Sequence, residues 1–393
     1  MSSVFTARLA REWRIVVCVG AGGVGKSTTA AALGLAAALA GRRAVVLTID
    51  PANRLADALG LPALGGSAAP VCLASVNPQV GGTLHAMRLD TRATFDGLIQ
   101  RVASSVEAAN TIRTNRLYEN VAGRLAASES YMAVEKLYEL ATEDPPDLIV
   151  LDTPPTEHAV DFLNAPQRIL GVLNSRVLTI LQNPATTLTR AGSRASRLAL
   201  GAILRALEQF TGLTLVSDIA DFVRAFDAMI DALRERAECV QRLMRAPHTA
   251  FLIVAAPSTI AVGQTQEFYR TLEGAGVACA GLVINRVLPR RIFDRDLPPP
   301  TSTAMSHLPA GLGDKLARAF NDFHTLAAHQ YAAIDRLREQ LALGDRLTEV
   351  PAFPGDLASL ADVARFARVL TGCDAQNRSS LVPPVPWMLR DHG

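Results

Sequence analysis

The stretch Gly20-Ala21-Gly22-Gly23-Val24-Gly25-Lys26-Ser27 has the residue types and spacing of a phosphate cradle. Glycines let a backbone curl until successive N–H groups converge on phosphate oxygens. The run follows the apolar segment Ile15–Val19 and opens an Ala/Leu-rich segment from Ser27 to Ala40. A helix starting there turns the positive end of its dipole toward an anion. In this setting Lys26 reaches the outer phosphates and the Ser27 hydroxyl ligates Mg²⁺. Gly20 through Ser27, with Thr28, form the expected nucleotide-binding set. The alternative is a chance glycine-rich turn, and the strand–loop–helix order argues against it.

Two carboxylates stand at the ends of buried-type strands. Asp152 ends the apolar run Leu148-Ile149-Val150-Leu151, where open α/β sheets bind ligands. It is expected to hold Mg²⁺ directly or through water. The alternative is a solvated Asp opening the Pro154-Pro155 turn. Asp50 ends Ala44–Ile49 in the same way and precedes Pro51-Ala52-Asn53. A carboxylate there can orient a water against the γ-phosphate. No Glu directly follows Asp152 and no Gln is placed for that task, so Asp50, with Lys26, is the catalytic expectation. The other reading of Asp50 is a helix cap for Asn53–Leu59. An Asn-Lys-x-Asp segment of the kind that reads guanine is absent, which favours ATP over GTP.

These residues need a sheet to bring them to one edge. Further strand candidates are Leu84–Leu89, Asp147–Leu151, Thr249–Ala255, Val277–Ile284 and Leu347–Val350, mostly separated by helical patterns. The alternation predicts an α/β fold, a doubly wound and mainly parallel sheet. Two long helical stretches, about Thr91–Glu143 and Asp161–Arg245, read as a lobe inserted into the nucleotide domain. That domain then spans 14–372, with a core of about 14–90, 144–160 and 246–372. Gly313–Leu343 is a further helix, the proline-bearing segment after Val287 a loop, and 373–393 an unpacked tail.

Composition excludes several classes. Of the 393 residues, 49% are apolar and 19% charged, so a large core is available and global disorder is not expected. A net charge of +2 gives no general pull toward nucleic acid. The cysteines, Cys18, Cys72, Cys239, Cys279 and Cys373, form no CxxC, so neither zinc nor an iron–sulfur cluster is expected. Cys18 and Cys279 read as buried core residues. The uncharged runs Ala58–Met87 and Ala246–Gln266 are broken by prolines and read as non-spanning. A cytoplasmic protein is expected, peripheral at a membrane only through a partner.

The loop, the segment Asp50-Pro51-Ala52-Asn53-Arg54-Leu55-Ala56-Asp57-Ala58-Leu59-Gly60 and the segment Asp152-Thr153-Pro154-Pro155-Thr156-Glu157-His158 together resemble the arsenical-pump and guided-entry ATPases. Those are dimerising P-loop ATPases with a deviant Walker motif. The resemblance extends over roughly 14–372. It implies that the second segment is switch I and the third is switch II, continuing through Phe162-Leu163-Asn164-Ala165-Pro166. It also implies adenine contacts at Asn285-Arg286 and at Pro351 and Phe353, within Val350-Pro351-Ala352-Phe353. For Asn285 alone, a strand-end turn residue is the plain alternative. His158 reads equally as a phosphate-network contact or a structural loop residue, and His248 as structural.

Three departures from the family pattern matter. The family's P-loop places a lysine where this chain has Ala21, and that lysine reaches across a dimer to the partner's nucleotide. Its loss from a phosphoryl-transfer site implies slow hydrolysis or a charge supplied by a partner, by Arg54 or by Arg286. The paired zinc cysteines and any arsenite-type thiol triad are missing. With one ATPase unit, the chain is expected to pair with a copy of itself or a related ATPase subunit.

The inserted lobe is basic. Phe162–Leu207 holds no Asp or Glu but six arginines: Arg168, Arg176, Arg190, Arg194, Arg197 and Arg205. Arg190, Arg194 and Arg197 share a helix face, and Leu200, Ile203, Leu204 and Leu207 another. The face suits an acidic or membrane-associated partner, or is simply solvated. With seven methionines in the chain, and only Met229 and Met244 in the second helical stretch, about Asp161–Arg245, a Met-lined client groove is not expected. The expected roles are a dimeric nucleotide-driven switch handling a hydrophobic client, the energising subunit of an anion transporter, or an interaction subunit of weak turnover.

Overall fold

A computed structural model describes residues 12–110 except 80, 104 and 108, then 129–154, 159–173 and 215–290, and finally 309–372 except 310, 354, 356 and 358. Its elements in chain order are β1 (Ile15–Val19), α1 (Lys26–Leu39), β2 (Arg43–Thr48), α2 (Arg54–Leu59), β3 (Ala69–Pro70), β4 (Thr83–Arg88), α3 (Thr91–Val102) and α4 (Glu129–Thr142). They continue with β5 (Leu148–Asp152), α5 (Ala159–Leu173), α6 (Leu215–Met244), β6 (Thr249–Ala255), α7 (Thr259–Gly274), β7 (Ala278–Val287), α8 (Leu312–Leu341), β8 (Leu347–Pro351) and α9 (Leu360–Leu370). Among the described residues no helix is long and apolar enough to cross a membrane.

The strands form one sheet in the order β3-β4-β2-β5-β1-β6-β7-β8, parallel throughout except for the β3–β4 pair. β1, β5 and β6 are buried at every residue, which is why they read as unbroken apolar runs. The chain leaves β1 to build β2 and β4 on one side, returns for β5, and then builds β6, β7 and β8 on the other. This doubly wound α/β arrangement puts its switch point at the end of β1, where such sheets form their ligand crevice. The two-residue β3 was not expected, since it is too short to carry any periodicity.

The chain divides into two compact units. The first, Met1–Arg88, Asp144–Val160 and Arg245–Gly393, holds the sheet. Helices α1, α2 and α9 pack on one another, and the core on that face joins Leu33, Leu35 and Phe366 to Val16, Val46, Val150 and Leu252. Helix α7 packs on β6 and β7, with α8 beside it. The alanine-rich α1 has high intrinsic helicity. It stops at Gly41, whose φ of 88° allows a Schellman turn. Gly41 N–H reaches the Ala38 carbonyl at 3.0 Å, and Arg42 N–H the Ala37 carbonyl at 3.0 Å.

The second unit, Leu89–Glu143 and Asp161–Met244, is helical in its described parts, where α3, α4 and α6 pack together. The Asp90 side chain caps α3 by accepting from Ala93 N–H at 2.8 Å. Glu135 on α4 is fully buried and paired with Arg236 on α6 at 2.7 Å. Burial raises the Glu135 pKa against the pull of that guanidinium. Met229 and Met244 are buried in this unit. Arg168 is exposed, whereas the other five arginines of the basic stretch, the Leu200–Leu207 face and the tail lie outside the described residues.

Two sequence expectations shift. Asn285 and Arg286 were expected after a strand and lie inside β7 instead. The β7–β8 register breaks between Ile284 and Val287, and Arg286 has a φ of 61°, so the strand bulges there and then continues. Cys18 is buried, but Cys279 only partly, because it sits near the exposed start of β7.

Candidate functional site

Sheet register assembles the site. Cys18 of β1, Asp152 of β5 and Thr48 of β2 are direct neighbours across three parallel strands. All three therefore project on one face, the face covered by α1. The loop from Gly20 to Gly25 leaves β1 on that side and delivers Lys26 and Ser27, at the start of α1, beside the carboxylates.

The loop's shape depends on glycine at two places. Gly20 has φ 152°, and a Cβ there would lie 2.0 Å from the Val254 carbonyl oxygen. Gly25 has φ 98°, and a Cβ would lie 2.2 Å from the Asn285 side-chain nitrogen. The Asn285 amide donates to the Val24 carbonyl at 2.9 Å, and its Oδ1 accepts Arg286 N–H at 2.9 Å. Asn285 thus braces the P-loop against β7. Ala21, Gly22 and Gly23 are exposed at the crown, Gly20, Ser27 and Thr28 are half-buried, and Val24 is buried.

Lys26 is buried beneath the crown, at 6% exposure, and its ammonium donates to the carbonyls of Gly20 at 3.0 Å and Ala21 at 2.8 Å. Burial lowers its pKa, while Asp152 and Asp50 pull it back up. Asp152 is fully buried. Its Oδ2 accepts from the Thr48 hydroxyl at 2.9 Å. Burial pushes this carboxyl up to about 6, against the opposing pull of the Ser27 and Thr48 hydroxyls and of Lys26. Oδ1 is buried and has no hydrogen-bond partner in the protein.

An ionised carboxylate oxygen left bare in an apolar interior is costly, and buried charges are found paired or on a metal. A hydroxyl and a carboxylate are hard oxygen donors of the kind Mg²⁺ prefers. The residues present therefore fit a Mg²⁺ ion at Ser27 and Asp152. Among the described residues no group of three His, Cys, Asp or Glu is placed to hold a metal ion without other donors.

Asp50 is also buried, at 7% exposure. Its Oδ1 accepts Ala52 N–H at 2.9 Å and its Oδ2 pairs with Arg54 Nη1 at 2.9 Å. Asp50 does not cap α2, since Asn53 holds that position without a side-chain bond. Thr48, which sequence reasoning missed, links the Asp152 carboxylate to the Asp50 backbone: its hydroxyl donates to Asp152 Oδ2 and accepts Asp50 N–H at 3.2 Å. A single polar residue closing an apolar strand, two before Asp50, was the available signal. Thr153, also missed, ties β5 to β1 through a 2.8 Å bond from its hydroxyl to the Cys18 carbonyl.

Lys26, Ser27, Thr48, Asp50 and Asp152 thus come together, with Asn285 behind the loop. Arg286 is exposed on the β7 bulge. Pro351 ends β8 opposite Val287, and Ala352 N–H bonds the Val287 carbonyl at 2.8 Å. Phe353 stacks on Phe366 at 5.9 Å, with the Arg365 guanidinium 5.5 Å from its ring centre. Asn285 and Arg286, inside the last part of β7, and Pro351 and Phe353, at and just past the end of β8, therefore lie along two adjacent strands. His158 lies outside the described residues.

Known proteins agree with this architecture. Residues 13–328 match the family model described as anion-transporting ATPase. An Aquifex aeolicus protein, provisionally named arsenical pump-driving ATPase 1, is 23% identical over 290 residues, covering 72% of this chain and 65% of its own. ATPase ASNA1 homolog 2 of Paramecium tetraurelia is 24% identical over 328 residues, covering 81% of this chain and 90% of its own. ATPase GET3C of Arabidopsis thaliana is 24% identical over 292 residues, covering 70% and 67% respectively. With a P-loop at the switch point of a doubly wound sheet and a family match over most of its length, the chain belongs to the anion-transporting ATPase family of ATP hydrolases.

Proposed function

We propose that the chain binds and hydrolyses Mg²⁺-ATP at the P-loop, Gly20–Ser27 with Thr28, and uses the cycle as a switch. The observation that carries this reading is the bare, buried Asp152 Oδ1 beside Ser27 and Lys26. Lys26 exchanges its bonds to the Gly20 and Ala21 carbonyls for phosphate oxygens, which restore the partners a buried ammonium requires. Ser27 and Asp152 hold Mg²⁺, Asp152 directly or through water. A Mg²⁺ held there would supply charge neutralisation on the outer phosphates. Asp50 orients the attacking water, and Thr48 fixes its backbone relative to Asp152. Asn285, Arg286, Pro351 and Phe353 frame the adenine.

Pairing with a second ATPase chain, a copy or a related subunit, is supported by Ala21, whose methyl group brings no charge to the exposed crown. The family's description and the name arsenical pump-driving ATPase support a role in driving an anion transporter; handling of a membrane-associated client is the other role we propose for the switch. Ala21 also favours a second reading, an interaction subunit with weak turnover of its own.

One experiment separates these readings. Turnover per chain is measured across protein concentrations, with native mass recorded alongside, for the wild type and Asp50→Asn. The account expects slow turnover that rises as dimers form, and none above background in Asp50→Asn at unchanged ATP affinity. Full turnover by a monomer would remove the partner, and unchanged turnover in Asp50→Asn would remove Asp50 from the mechanism.

A further inference from the structure

Arg54 differs from the other cation of the site. Lys26 is buried and bound to two backbone carbonyls. The Arg54 side chain is 60% exposed, and among the described residues Asp50 is its one ion-pair partner. Arg54 stands at the first position of α2, one short turn from Asp50. Its charge is felt at Lys26, where it works against protonation.

Both oxygens of the Asp50 carboxylate are engaged by its own segment. Ala52 N–H occupies Oδ1 and Arg54 occupies Oδ2. An oxygen held by a guanidinium is a weakened acceptor for a water proton. Only the arginine end of this ion pair is exposed, and a guanidinium binds phosphate oxygens with two parallel, charge-assisted bonds. A phosphate arriving at the crown therefore competes favourably for Arg54.

We propose that Arg54 is the terminal-phosphate sensor of this site: its guanidinium leaves Asp50 Oδ2 for an oxygen of the outermost phosphate, and the exchange frees Asp50 to hold the attacking water. One side chain then supplies the cation that Ala21 lacks and couples it to release of the water-holding carboxylate. A diphosphate is too short to trigger the exchange, so Asp50 stays latched after product forms. The exchange breaks no covalent bond and moves no proton.

This inference rests on the P-loop reading, and the test separates the two. Affinities of the full-length protein for ADP and for a non-hydrolysable ATP analogue are measured with Mg²⁺ by calorimetry. The variants are Arg54→Gln and Arg54→Lys, with Lys26→Ala as control for the site itself. Arg54→Gln is expected to lose at least about tenfold in the preference for triphosphate over diphosphate, the scale of one charge-assisted bond, with ADP affinity unchanged. Arg54→Lys recovers part of it. A wild-type preference in Arg54→Gln, or equal weakening for both nucleotides, would overturn the inference while leaving the P-loop reading intact. Tight binding by Lys26→Ala would instead remove the P-loop reading.

Discussion

Asp152 carries a buried carboxyl whose charge weighs on stability. Its carboxyl has a pKa of about 6 in the fold, above the ordinary 3.8, chiefly because it is buried. Between those values the folded protein binds more protons than the unfolded chain, so stability falls as pH rises through that window. The difference corresponds to about 3 kcal/mol at neutral pH. Asp152→Asn keeps an acceptor for Thr48 and removes the buried charge. Urea unfolding in Mg²⁺-free buffer should show wild-type stability falling from about pH 4 to about pH 6, with Asp152→Asn flatter and more stable at pH 7.5. An unchanged slope in the variant would mean that another group titrates. At this scale the sequence was informative about placement: Lys26, Ser27, Asp50 and Asp152, read from motif and strand ends, lie together. Thr48 and the Asp50–Arg54 pair were not legible, because they depend on strand register and a side-chain rotamer.

At the scale of elements, the fit of α1 against the sheet holds the loop in place. Gly34 lies on the buried face of α1, and a Cβ there would stand 2.5 Å from Val46 Cγ2 and 3.0 Å from Leu84 Cδ1. Val46 and Leu84 are themselves buried on adjacent strands, so neither has room to retreat. Gly34→Ala gains up to about 1 kcal/mol in helix propensity, while overpacking costs about 1–3 kcal/mol. Packing should win, lowering stability by about 1–2 kcal/mol in denaturant titration. A variant as stable as the wild type would show that α1 can lift from the sheet without cost. The strands were legible because a sheet covered on both faces demands continuous apolar runs. The β7 bulge at Arg286 was not, since nothing in Ile-Asn-Arg-Val marks a left-handed residue.

For the whole molecule, the order of strands matters more than any one of them. Returning β5 to lie between β2 and β1 places Asp152 beside both Thr48 and Cys18, and puts the loop where the winding reverses. Alternation of short apolar runs and helices announced a doubly wound sheet, but the order within it is fixed by crossovers that span distant parts of the chain. The central claim is that this edge is a Mg²⁺-triphosphate site built on Lys26. The most direct measurement is calorimetric titration of ATP, with Mg²⁺ and with EDTA, into the wild type and Lys26→Ala. The account predicts tight, Mg²⁺-dependent binding by the wild type and none measurable by Lys26→Ala. Wild-type affinity in Lys26→Ala, or binding indifferent to Mg²⁺, would contradict it.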